Sequence, residues 1–228
     1  LLLPNARMRW AFSSTHIGAA VEEASNKSRR MSVVFQSGRK DYEMLNLNTL
    51  REQCANGEVF RYLFFWGHSK PTEHRMTKAC RRRWFAPPFV IGGSTSPTAE
   101  HWMMASKARL FKDDEALLRI LATSDPKEAK ALGRKVKSFD NNLWMQHCRQ
   151  YVTDGNIAKF SQHESMKSFL LSTGAAVLVE ASPFDRTWGI GLGENDQRAK
   201  HPRTWEGENL LGFVLMEVRQ QLRSKSRT

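Results

Sequence analysis

The sequence predicts an α+β fold: a single, predominantly helical domain with a few short strands. Helix signals dominate from Pro97 to Leu222, extended runs are few and short, and the two kinds do not alternate. Regular alternation would point instead to a doubly wound α/β sheet. At 228 residues, 40% hydrophobic and 25% charged, the chain can bury one sizeable core and has the composition of a soluble globular domain.

Residues 1–58 read as an N-terminal extension, partly ordered or accessory, kept polar by Ser13, Ser14, Ser25, Asn26 and Ser28. A strand fits Met31–Phe35 within it, and a helix fits Leu47–Ala55 with Gly57 as its stop. The domain proper is predicted over 59–223. It opens with an aromatic run from Phe60 to Trp66 that reads as a buried strand. Trp84–Ile91 carries Pro87-Pro88 and belongs at an edge or in irregular structure, after which Gly92-Gly93 turns the chain. Ser96 as N-cap and Pro97 at the first helical position start a helix running to Phe111. A second helix covers Asp114–Ala122. A third opens at the capping box Asp125-Pro126-Lys127-Glu128 and runs to about Val136. Asn141–Val152 is a fourth, broken by Gly155, and His163–Ser172 a fifth, closed by Gly174. Ala176–Glu180 is a β-type run. A glycine-rich loop from Ser182 to Gly193 and a polar loop to Trp205 lead to the last helix, Glu208–Leu222. Residues 224–228 are predicted to be a disordered tail.

The formal net charge of +12 attracts phosphate-rich partners. Its basic residues cluster at Arg81-Arg82-Arg83, at Lys127, Lys130, Arg134, Lys135 and Lys137, and from Arg219 to Arg227. Each cluster alone reads as solvated surface; together they favour a phosphorylated small molecule or a nucleic acid, although no homeodomain, zinc-finger or RRM signature accompanies them. Cys54, Cys80 and Cys148 form no CxxC pair, which predicts a reducing, intracellular setting such as the cytoplasm. The histidines lack zinc-site spacing, so neither a metal nor a cofactor is expected. Leu1-Leu2-Leu3 before Pro4 is too short for a signal core or a membrane span, and no membrane partner is expected.

Glu100 is the most informative residue. It falls in the first turn of the Pro97 helix, where the dipole favours a carboxylate, and shares a face with Met104, Lys107 and Phe111. A carboxylate and an ammonium on an apolar stripe fit the lining of a wet cleft. They fit equally a helix-terminal Glu bonded to backbone N–H groups with Lys107 reaching to water. Asp185 lies in a loop whose glycines let backbone approach a ligand and hold phosphate, though such a loop is more often only a turn. Trp144 reads first as core and second as a platform for a nucleobase.

Several segments, taken in order, resemble one family. They are Phe64-Phe65-Trp66-Gly67-His68; Pro97-Thr98-Ala99-Glu100-His101-Trp102 with Lys107; Asp125-Pro126 with Gly133-Arg134; Phe139-Asp140 with Trp144; Gly155-Asn156 with Lys159-Phe160; Leu178-Val179-Glu180-Ala181-Ser182-Pro183 with Asp185-Arg186 and Trp188-Gly189-Ile190-Gly191; and Asn209-Leu210-Leu211-Gly212. Over roughly residues 60–223 this order is similar to the NADAR (YbiA-like) domain. That resemblance implies an N-glycosidase that hydrolyses a ribosyl C–N bond. The substrate it favours is ADP-ribosylated guanine, in DNA or as a nucleotide. A phosphorylated riboflavin-biosynthesis intermediate, and an inactive module binding ADP-ribose or nucleic acid, are the alternatives. It implies Glu100 and Asp185 as catalytic residues, with Trp144, Lys107, Trp188, Gly189 and Gly191 binding substrate. Where family members carry Phe-Ser-Asn or Phe-Ser-Gln before the aromatic aligned with Trp84, this chain has Arg81-Arg82-Arg83, a change that points either to a more phosphate-rich substrate or to loss of the family activity.

Overall fold

The computed structural model describes residues 46–66 and 87–225, all within one compact unit. The predicted strand at Met31–Phe35, the Arg81–Arg83 block and Trp84 lie outside the described residues. Seven helices and four short strands make up the described part: α1 (Leu47–Ala55), β1 (Tyr62–Phe65), β2 (Phe89–Ile91), β3 (Ser94–Ser96), α2 (Ala99–Leu110), α3 (Asp114–Ala122), α4 (Pro126–Gly133), α5 (Asn141–Gln162), α6 (Glu164–Ser172), β4 (Val177–Glu180) and α7 (Leu210–Lys225). Two 3₁₀ turns, Gln197–Lys200 and Pro202–Thr204, occupy the long loop before α7. The fold is α+β and mostly helical, as the sequence predicts.

The strands β1 and β4 pair in parallel, with Tyr62 opposite Val177 and Phe65 opposite Glu180. The strands β2 and β3 form an antiparallel hairpin around Gly92 and Gly93, both of which have positive φ (61° and 74°). Around the parallel pair, Phe65, Val177, Leu178 and Val179 join Val152 and Phe160 of α5, Leu170 of α6 and Phe213, Val214 and Val218 of α7 in the main core. A second core fills the space between α2, α3 and α4 with Met104, Ala105, Ala108, Leu117, Ile120, Ala129 and Leu132. Met103 packs against both, so α2 is the wall between them.

Several element ends differ from the sequence prediction for identifiable reasons. The first turn of α2 is capped by Thr98, whose hydroxyl accepts the His101 N–H at 3.3 Å; Ser96 instead ends β3. The box at Asp125 is relayed: the Thr123 hydroxyl donates to Glu128 and accepts the Asp125 N–H, and α4 stops at Gly133 rather than Val136. Gly155 does not break α5, which runs on to Gln162. A Cβ there would lie 2.3 Å from Cδ1 of Trp102, and the Trp102 indole N–H donates to the Tyr151 carbonyl at 2.7 Å. The missing side chain admits the Trp102 ring against the helix. At the N-terminal side, Leu47 and Leu50 of α1 are buried in the main core, so the ordered body begins well before residue 59. At the other end α7 is helical through Lys225, overturning the disordered-tail expectation for Ser224 and Lys225. Arg219 is no surface charge either: it is buried and donates to the Thr173 hydroxyl (2.7 Å) and the Ala176 carbonyl (2.9 Å), tying α7 to the turn before β4. Among the described residues, no helix is long and apolar enough to cross a membrane.

Candidate functional site

Ligands of sheets with parallel strands bind beyond the carboxyl ends of those strands. Here β4 ends on Glu180 and β1 is followed by Trp66, so the site is sought at that edge. Three carboxyl groups meet there from three parts of the chain: Glu100 from the first turn of α2, Glu180 from β4, and Asp185 from the loop after it.

Burial raises the Glu100 carboxyl above the usual range; Lys130 and Arg134 oppose that shift and Asp185 adds to it. Burial also pushes Glu180 up to about 8, with Asp185 and Glu100 adding to the rise and Lys130 opposing it. Glu100 Oε1 and Glu180 Oε2 are buried with no hydrogen-bond partner among the described residues. Buried polar atoms are nearly always satisfied in folded proteins. Two orphaned carboxyl oxygens in one cluster mark a place shaped for something other than stability. Among the described residues no three His, Cys, Asp or Glu side chains converge as metal ligands.

Loop geometry fixes Asp185. Its Oδ1 accepts the N–H groups of Thr187 (2.9 Å) and Trp188 (2.7 Å), and its carbonyl accepts Gly191 N–H at 3.1 Å. Gly189 is needed for close approach: a Cβ would come within 2.8 Å of the Glu180 carbonyl. Gly191 takes φ +69° against Glu206. The N–H groups of Trp188, Ile190 and Gly191 are taken up by Asp185 and Glu180 within the loop, which fixes the place of Asp185. The Trp188 side chain packs on the main core.

The basic partners come from α4. Lys130 and Arg134 are exposed, one turn apart, and their fields reach Glu100, with Lys130 also acting on Glu180. Lys107 lies two turns along α2 from Glu100, about 10 Å at the helical rise. Its ammonium sits 3.9 Å from the Phe139 ring centroid and 5.7 Å from that of Trp144. Burial lowers its pKa, and Arg134 lowers it further. The Glu100–Lys107 face of α2 is therefore acidic at one end and cationic at the other, with Arg134 acting on both. Met104 between them is core, packed where Gly133 of α4 leaves room.

Trp144 is 7% exposed and stacks on Tyr151 at 6.2 Å and 21°. Sequence reasoning overlooked the exposed aromatic at this edge. Phe184, next to Asp185, is 86% exposed, its ring 6.0 Å from that of Trp66. Glu180 was overlooked as well, because at the end of an apolar strand it reads as a simple terminus. The signal available was its place on the same parallel-strand edge as the Asp185 loop.

The chain is similar to known proteins in sequence and in fold. The NADAR domain family matches residues 64–223. The N-glycosidase R617 of Acanthamoeba polyphaga mimivirus is 37% identical over 169 residues, 72% of this chain and 98% of its own length. The N-glycosidase YbiA of Escherichia coli strain K12 is 34% identical over 135 residues, 59% of this chain and 76% of its own. The NMR structure of E. coli YbiA superposes with a TM-score of 0.56 at 28% identity, covering 74% of this chain and 89% of that one. By sequence and by fold, the chain belongs to the NADAR domain family.

Proposed function

We propose that this protein is an N-glycosidase that hydrolyses the C–N bond between a phosphorylated ribose and a base, with ADP-ribose on guanine as its favoured substrate. The relatives named N-glycosidases support the reaction class. One observation carries the reading: Glu100, Glu180 and Asp185 lie close enough for Asp185 to act on both glutamates and for Glu100 to act on Glu180, with Lys130 acting on both and Arg134 on Glu100.

Cleaving a ribosyl C–N bond develops positive charge on the sugar, and a carboxylate in a desolvated pocket stabilises that charge far better than one in water. Glu100 stabilises the cation and takes a proton from the attacking water. Asp185, held by two N–H groups, binds the ribose hydroxyls or positions that water. Lys130, Arg134 and Lys107 take the phosphates, and the Phe184–Trp66 pair offers a face for the base. The +12 charge favours a nucleic-acid carrier of the modified guanine.

A substrate panel tests the reading. Guanosine-ADP-ribosylated oligonucleotide, the corresponding mononucleotide and phosphorylated riboflavin-biosynthesis intermediates are incubated with the protein at rising salt. The reading expects release of free ADP-ribose, with turnover of the oligonucleotide falling more steeply with salt than that of the mononucleotide. Turnover of the riboflavin intermediates alone moves the substrate to a smaller phosphoribosyl compound. Binding of ADP-ribose without turnover of any of them makes the protein a binding module.

A further inference from the structure

We propose that Glu180 is the general acid of this site, delivering its proton to the leaving nitrogen as the ribosyl C–N bond breaks. This rests on the N-glycosidase reading and assigns the one step that Glu100 and Asp185 leave open.

The backbone of Glu180 is held on every side while its carboxyl group is not. Its N–H donates to Asn209 Oδ1 at 2.9 Å, and its carbonyl accepts the N–H groups of Ser182 and Ile190, each at 2.9 Å. Cα pairing with Phe65 fixes its place at the end of the parallel strands. The side chain so positioned keeps Oε2 buried and without a hydrogen-bond partner among the described residues. Structural glutamates at strand ends reach water or a cation. This one is turned into a cluster where the charged groups facing it are Asp185 from the following loop, Glu100 from α2 and Lys130 from α4. Two carboxylates against one lysine favour a proton on the third carboxyl. Burial is the larger effect, and together they push Glu180 up to about 8, so at neutral pH it carries a proton.

The chemistry then balances. The C–N bonding electrons leave with the base, whose nitrogen takes the Glu180 proton. The sugar cation is met by water, whose proton passes to Glu100. That leaves Glu180 ionised and Glu100 protonated; Glu100 releases its proton to solvent and Glu180 takes one up, which restores the site. A free base is a poor leaving group without protonation, which is where a general acid contributes about 10²–10⁴ in rate.

The test compares leaving groups. The protein and its Glu180→Gln and Glu180→Asp variants are assayed on ADP-ribosyl-guanosine and on a ribosyl phosphate carrying 4-nitrophenolate, which departs without a proton. The proposal expects Glu180→Gln to lose about 10²-fold or more in kcat on the guanosine substrate and less than about tenfold on the nitrophenyl one. Glu180→Asp should recover part of the first activity. In the unmodified protein, kcat should fall as pH rises through about 8, and carbon-13 NMR of labelled glutamate should show one carboxyl titrating there. Equal losses on both substrates overturn the acid role and leave the N-glycosidase reading standing. So does a rate in the unmodified protein that stays flat across that pH range, a readout that holds even where the variants fail to fold. Inactivity of the unmodified protein on every ribosyl substrate overturns that reading and this proposal together, whatever the NMR shows.

Discussion

The side-chain amide of Asn209 brackets Glu180: its Oδ1 accepts the Glu180 N–H at 2.9 Å while its Nδ2 donates to the Leu178 carbonyl, also at 2.9 Å. It serves the open edge of β4 as a neighbouring strand would. Asn209 itself has φ 54° and is fully buried, and its backbone N–H donates to the Gly189 carbonyl. One residue therefore joins the strand, the Asp185 loop and the start of α7. Asn209→Gly, which keeps the left-handed backbone and removes both side-chain bonds, should destabilise the fold by about 2–3 kcal/mol in urea unfolding. Asn209→Ala should cost about 1 kcal/mol more, because Ala resists that φ. If Ala proves the more stable of the two, the backbone conformation is not what Asn209 supplies.

Stability should depend on Glu180 in a direction set by its raised pKa. Between the ordinary glutamate range and pH 8 the folded protein keeps a proton that the unfolded chain has released, so the group destabilises the fold increasingly as pH rises across that window. Glu180→Gln should thus melt several degrees above the unmodified protein at about pH 9 and much closer to it at about pH 4, read by circular dichroism. The same substitution should lower activity, the usual trade-off for an ionisable group buried in a functional pocket.

Lys130 acts on the cluster through its charge and on substrate through phosphate. Lys130→Met removes an effect that lowers both Glu100 and Glu180, so the alkaline fall of kcat should move to higher pH. The KM for an ADP-ribosyl substrate should rise about tenfold, or ~1.4 kcal/mol of binding. An unmoved pH profile would separate Lys130 from the site.

Phe184 has no packing reason to be aromatic at 86% exposure. Phe184→Ala should leave unfolding free energy within about 0.5 kcal/mol of the original and weaken binding of a base-bearing ligand by about 1 kcal/mol or more. Calorimetry on a product nucleotide reads both the affinity and, with a base-free phosphoribose, whether the loss belongs to the base.

Gly155→Ala should destabilise by about 1–3 kcal/mol despite the better helix propensity of Ala, since the new Cβ would fall 2.3 Å from the Trp102 ring. This residue also shows where sequence reading ends. A glycine inside a polar helical pattern signals a break; that it is instead a seat for Trp102, 53 residues earlier in the chain, is a tertiary fact with no local trace. Helices with local punctuation, such as Asp114–Ala122 with its Asp113 cap and Glu164–Ser172 with Gly174 after it, were legible because those signals are local. The site was half legible. Glu100 stood out as a carboxylate on an apolar helix face, and Asp185 as an acid within a glycine loop. Glu180 and Phe184 did not, because an acid ending a strand and an aromatic in a loop gain meaning only once β1 and β4 pair in parallel. Trp144, read first as core, is buried, and Trp188 packs partly against the main core.

The most direct test of the account is release of free ADP-ribose from a guanosine-ADP-ribosylated oligonucleotide, followed by mass spectrometry, for the unmodified protein and for Glu100→Gln. Glu100 Oε1 is buried without a hydrogen-bond partner among the described residues, so Glu100→Gln should fold and bind. The account predicts release by the unmodified protein and a rate lower by about 10²-fold or more for the variant. Release at an undiminished rate by a folded Glu100→Gln protein would contradict it.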